Sequence, residues 1–157
     1  LVGVFVGAAG ALAMDRHNLR ARQRQRARTL LRILGQELAD NFETIRLAKP
    51  AYETTSWGKS FYLSTISWET ALANGDLPEI LGYELADYLA AQYGWLYRIR
   101  YYVDLMTRLW FAPKGIAAYD EIQRGFRDAI VSAMEKAETG HHEVMQHIRG
   151  EVAKLKG

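Results

Sequence analysis

The chain has 157 residues, 49% of them apolar, which suits one domain with its own core and is too apolar for a disordered chain. It contains no cysteine, so disulfides, zinc–thiolate sites, iron–sulfur clusters and a cysteine nucleophile are excluded. The net charge of +2 is divided: residues 15 to 32 hold seven arginines against Asp15, a local +6, and the remaining 13 basic and 17 acidic residues leave the rest of the chain at −4.

Residues 1–14, LVGVFVGAAGALAM, carry no charge and are followed at once by DRHNLRARQRQRAR. Fourteen helical residues rise only about 21 Å, less than the roughly 20 residues that a bilayer core needs. The chain opens on Leu1 rather than Met, which leaves room for further apolar residues upstream. A secretory signal places its positive charges before the apolar stretch, whereas here they follow it. A transmembrane segment is therefore expected over 1–14. The positive-inside rule then puts everything C-terminal to it in the cytoplasm, on a single pass through the inner (plasma) membrane. Gly3, Gly7 and Ala11 form a small-residue face that would let another membrane helix approach closely.

Residues 15–32 form an Arg-rich juxtamembrane helix, in which Arg16, Arg20, Arg22, Arg24, Arg26 and Arg28 are expected to meet anionic lipid headgroups. The alternative is a basic arm for nucleic acid: base readout usually wants Asn, Gln or aromatic companions and a dimerising element, and Asn18, Gln23 and Gln25 are present.

A bundle domain is expected over 33–157. Leu31, Leu34, Leu38, Phe42 and Ile45 recur at steps of three and four, one amphipathic helix reaching about Ala48, before Pro50. Neither Gly nor Pro interrupts residues 11 to 34, so the apolar start, the arginines and this helix can be continuous. Residues 49–58 read as a loop, and 59–73 as a short helix that ends at Asn74-Gly75. Asp76, Pro78 and Glu79 make a capping box for a third helix, Leu77 to Phe111. Its stripe Leu81, Leu85, Tyr88, Gln92, Trp95, Ile99, Tyr102, Met106, Leu109 steps 4-3-4-3, and Leu89, Leu96, Val103 and Trp110 fall seven apart beside it. So broad a strip suits a bundle helix between two neighbours. A fourth helix over about 115–138 carries Tyr119, Ile122, Phe126, Ile130, Ala133 and Ala137. Thr139-Gly140 weakens it before Val144, Ile148, Val152 and Leu155 resume the period. No alternating β-branched run argues for a sheet. The fold class is all-α, an N-terminal transmembrane helix continuing into a cytoplasmic bundle of about four helices.

The third helix holds half of the eighteen aromatic residues. Tyr93, Tyr97 and Tyr101 lie off its main stripe near Arg100, a row that suits a partner interface, where tyrosine and arginine are enriched. Glu138, His141, His142, Glu143 and His147 are the nearest thing to a metal cluster. Glu138 and His141 have Glu-x-x-His spacing, but a di-iron bundle needs a second such motif, and none occurs. His142 to His147 is one residue too long for a zincin. Gly58-Lys59-Ser60 lacks the first glycine of a phosphate loop, and nothing positions the serines and histidines as a triad. No catalytic residue, metal or cofactor is expected.

The order of elements resembles that of small bacterial single-pass membrane proteins of uncharacterised function, which have an N-terminal anchor, an Arg/Gln-rich exit, a Glu-Leu-x-x-Asn helix and a helical domain. Asp15 to Asn18, Arg20 to Leu31, Glu37 to Asn41 and Ser67 to Leu77 carry the resemblance, over about half the chain. It implies a cytoplasmic domain on one anchor and brings no catalytic residues. The expected role is a non-enzymatic accessory or scaffolding subunit of a larger membrane complex. Its partners would be other membrane subunits and anionic lipid, with self-association also open. A metal-dependent bundle enzyme is the remaining alternative.

Overall fold

The structure, a computed structural model, describes residues 2–54, 60–75, 77–111 and 119–155, without the side chains of 2–13, 15 and 79. Regular structure among these residues is entirely helical: α1 (Val2–Glu53), α2 (Ile66–Ala73), α3 (Leu77–Leu81), α4 (Tyr83–Trp110) and α5 (Tyr119–Lys154). The all-α expectation holds. The expected capping box depends on Asp76 and the Glu79 side chain, which lie outside the described residues.

α5 is the central helix, and α1 and α4 pack on it from two sides. On the α1 side Arg28 reaches the Leu155 carbonyl, Phe42 meets His141, and Lys49 pairs with Glu138. On the α4 side Tyr88 meets His147, Gln92 bonds Ala137, and Tyr102 approaches Phe126. Residue numbers fall on one helix as they rise on α5, so both neighbours run antiparallel to α5 and parallel to each other. α2 and α3 pack along α1. The predicted stripes are the core: Leu31, Leu34, Leu38 and Ile45 from α1, Leu89, Leu96 and Ile99 from α4, and Ile130, Ala137, Val144 and Ile148 from α5 are buried.

Four boundaries differ from expectation. α1 passes through Pro50 to Glu53. Proline there leaves only the Arg46 carbonyl without its helical donor, while buried Tyr52, packed edge-on against Phe61, holds the last turn down. Residues 60–65 are not helical. The Asn41 amide takes both backbone groups of Ser64, donating to its carbonyl (2.6 Å) and accepting from its N–H (2.8 Å), so these groups have no need of a helix.

The predicted third helix is broken at Gly82, whose φ of 81° is open to glycine and costly for other residues. Its N–H still bonds Pro78 (2.9 Å) and its carbonyl still accepts from Ala86 (3.1 Å), so the chain turns without orphaning either group. Gly75, also at positive φ (74°), ends α2 as expected. Thr139-Gly140, in contrast, does not interrupt α5. A Cβ on Gly140 would lie 2.6 Å from Gln92 Oε1, so the glycine is a notch that admits the buried Gln92 amide to the Ala137 carbonyl at 2.9 Å.

At its N-terminal end α1 leaves the bundle. Ala27 is its first buried described residue, and Met14 and residues 16–26 are all exposed. Arg28 caps the end of α5 at Leu155, marking where α1 loses its neighbour. The helix beyond, residues 2–26, is about 37 Å long. No helix of the described residues is long and apolar enough to cross a membrane. The fourteen uncharged residues given before Asp15 fall short of the roughly 20 that a bilayer core needs, so the described part of α1 does not by itself supply the span expected over residues 1–14. The Gly3, Gly7 and Ala11 face lies where side chains are outside the described residues.

The two kinds of helical glycine predict opposite responses to alanine. Gly94, in mid-α4 with open space around it, should gain about 0.5–1 kcal/mol on Gly94→Ala. Gly140→Ala should lose on the order of 1 kcal/mol by displacing the buried Gln92 amide. Urea unfolding of the two variants measures both, and equal shifts would contradict the notch.

Candidate functional site

The site is built on two polar residues in the apolar stripe of α1. Glu37 and Asn41 stand one turn apart on the face of Leu34, Leu38 and Ile45, and both are buried. The Glu37 carboxylate accepts from the Ser64 hydroxyl (2.8 Å), the Ser67 N–H (3.0 Å) and the Tyr93 hydroxyl (2.8 Å). Burial pushes its pKa up, but these bonds outweigh it and hold the carboxyl below its ordinary value. The same environment, burial first and then the carboxylate, raises the Tyr93 hydroxyl far above its ordinary value, so it remains a donor. The Tyr93 ring stacks on Trp68 at 4.9 Å, tying α4 to α2.

A second layer lies outward. The Glu69 carboxylate accepts from Thr65 (2.6 Å) and Tyr97 (3.0 Å), which hold its pKa down. Arg100 donates to the Thr65 hydroxyl, lies 3.9 Å from Glu69, and covers the rings of Tyr62 (5.5 Å) and Tyr97 (5.9 Å). Around it Tyr62, Ile66 and Tyr101 are about 60% exposed. These aromatic and aliphatic side chains around an oriented guanidinium form an interaction patch, held in place by the buried layer beneath.

The expected interface row Tyr93, Tyr97, Arg100, Tyr101 is therefore split. Tyr93 is completely buried and belongs to the core, Tyr97 sits at the rim, and Tyr101 is outside, edge-on to Tyr102. Residues four apart on a helix drift by about 40° per step, so a row that begins in the core leaves it within two steps. Tyr62, on the non-helical segment held by Asn41, and Ile66, at the start of α2, complete the patch; they were not legible as interface residues because tertiary contacts decide where that segment lies. The available signal was the pair of polar residues at buried positions of the α1 stripe.

The expected basic residues Arg16, Arg20, Arg22, Arg24 and Arg26 are exposed on the projecting part of α1. Arg28, the sixth, is partly buried against α5. At the foot of this arm a groove of about 610 Å³ opens between α1, α2 and α3, lined by Arg26, Leu30, Ile33, Ala71, Leu77 and Ile80 among others. The histidine cluster disperses. His141 stacks on Phe42 and His147 on Tyr88, each with ring centroids 4.1 Å apart but on different neighbouring helices. His142 meets Gln146, and Glu138 pairs with Lys49 at 2.6 Å. Among the described residues no group of three or more His, Asp or Glu could hold a metal ion. Burial, with His142 and Arg149 nearby, lowers the His141 pKa and favours its neutral form.

Compared with family models, curated proteins and solved structures, the chain matches none.

Acid should weaken the bundle in two stages. His141 and Glu37 both have folded pKa values below their unfolded ones, so each stabilisation is complete above the unfolded pKa and is lost as pH falls through the folded value. The first loss should begin below about pH 6.5 and the second below about pH 4.3. Glu37→Gln should cost about 2–3 kcal/mol at neutral pH, since three donors then meet a single amide oxygen, and should shrink the second stage, leaving the part due to Glu69. Urea midpoints measured from pH 7 to 3 report both, and an unchanged acid limb in Glu37→Gln would contradict the assignment.

Proposed function

We propose that the protein is a non-enzymatic accessory or scaffolding subunit of a larger membrane protein complex. The uncharged end of α1 enters the lipid, the bundle stands on the cytoplasmic side of the inner (plasma) membrane, and the patch around Arg100 docks a neighbouring subunit. The observation that carries this reading is the departure of α1 from the bundle. Residues 16–26 are exposed on every side, and an isolated helix of that length is marginal in water, so an outside partner supplies its support. The order of chemistry along the arm, uncharged residues 1–14 and then arginines, suits a membrane with its positive side facing the bundle.

The patch supports the docking half of the reading, because tyrosine and arginine with their side chains already oriented lose little freedom on binding. It stands on α4 at least one turn beyond Tyr93, which is level with Glu37. Since α1 and α4 run in the same direction, the patch lies roughly 16 Å or more from the foot of the arm at Arg26, clear of a lipid surface there.

Fractionation of cells expressing the protein tests the anchor. The expected result is recovery with membranes through a high-salt wash, release by detergent, and a shift to the supernatant when residues 1–14 are deleted. Release of the intact protein by salt alone would overturn the reading.

A further inference from the structure

We infer that the arginine arm of α1 stands end-on in an anionic lipid headgroup layer, with anions contacting it over more than half of its circumference. This rests on the membrane reading above and adds the orientation and the partner's charge. Residues 16 to 26 are all exposed, and among the described residues none of Arg16, Arg20, Arg22, Arg24 or Arg26 makes an ion pair. Among the described residues these charges have no counterpart on the bundle.

Their distribution around the helix decides the orientation. At about 100° per residue, Arg16, Arg20 and Arg24 drift slowly along one side, while Arg22 and Arg26 each lie about 160° from Arg20 and Arg24 respectively. A helix lying in the plane of a membrane needs a continuous apolar face to bury and a basic face above it. This arm has no such face: between residues 15 and 26 the apolar side chains are Leu19 and Ala21. A helix in a nucleic-acid groove likewise turns one side to its target. The arginines span about 200° of the circumference, and the remaining arc, His17, Asn18, Ala21 and Gln25, is not an apolar face to bury; so wide a spread of charge fits a headgroup layer that the helix passes through.

The lengths agree. Arg16 to Arg26 span about 15 Å along the axis. The polar layer of one leaflet is about 6 Å thick and the surface potential falls off over about 8 Å beyond it. The arginines thus fill the depth over which anionic lipid attracts them, and the bundle begins, at Ala27, where that attraction ends.

The full-length protein is tested on phosphatidylcholine vesicles with and without phosphatidylglycerol, comparing Arg20→Gln/Arg24→Gln with Arg22→Gln/Arg26→Gln. The pairs lie at similar depth on opposite sides of the helix. Each arginine near the surface is worth about fivefold in affinity, so either pair should weaken binding to the anionic vesicles about 25-fold and both should reduce its salt dependence. Urea midpoints should stay nearly unchanged, because these side chains are exposed and, among the described residues, make no ion pair with the bundle. Loss confined to one pair means a helix lying flat and overturns the orientation alone. Tighter binding of wild type to duplex DNA or RNA than to anionic vesicles overturns the lipid assignment. Failure to bind either vesicle at low salt overturns the membrane reading as well.

Discussion

One buried charge organises the contacts around α1. An ionised carboxylate away from water is tolerated only when donors surround it. Glu37 draws its donors from three separate places: the non-helical segment at Ser64, the start of α2 at Ser67, and α4 at Tyr93. The requirement fixes where each of these lies on α1, and Asn41 one turn later adds a two-way bridge to Ser64. The segment 60–65 stays out of a helix, with both backbone groups of Ser64 bonded from outside by Asn41. Since one network joins the parts, loss of a single donor leaves charge unpaired rather than merely removing a contact.

On the far side of α1 the central helix α5 carries a different kind of contact. His141 and His147 present ring faces to Phe42 and Tyr88, and Gly140 lets α4 approach closely enough for Gln92 to bond the α5 backbone. Side chains that resemble a metal set in the linear sequence are thus spread around α5 and occupied with packing. Burial keeps His141 neutral, which suits a ring stacked on phenylalanine and poorly suits a charged one.

The rigid frame has two outward features, each suited to a different neighbour. The patch at Arg100 is preorganised, since Thr65, Tyr62 and Tyr97 orient the guanidinium from beneath and beside it. The arm of α1 is the opposite, a single exposed helix with no packing of its own over residues 16–26. In the proposed role lipid stabilises the arm and a protein subunit covers the patch, and the Glu37 network sets the distance between them.

What the linear sequence determined was everything governed by local period and composition. The helical stripes of α1, α4 and α5, the turn at Gly75, the continuity of α1 through its arginines and the division of charge all follow from neighbours three or four residues apart. Tertiary structure decided the rest. It broke the third helix at Gly82, carried α1 past Pro50 and α5 past Gly140, kept 60–65 out of a helix, and turned Tyr93 inward while leaving Tyr101 outside. The physical reason is common to these cases: whether a glycine is a break or a notch, or a tyrosine a core residue or a surface one, depends on the side chain packed against it, and those partners lie 23 to 56 residues away along the chain for Asn41 with Ser64, Gln92 with Ala137 and Glu37 with Tyr93.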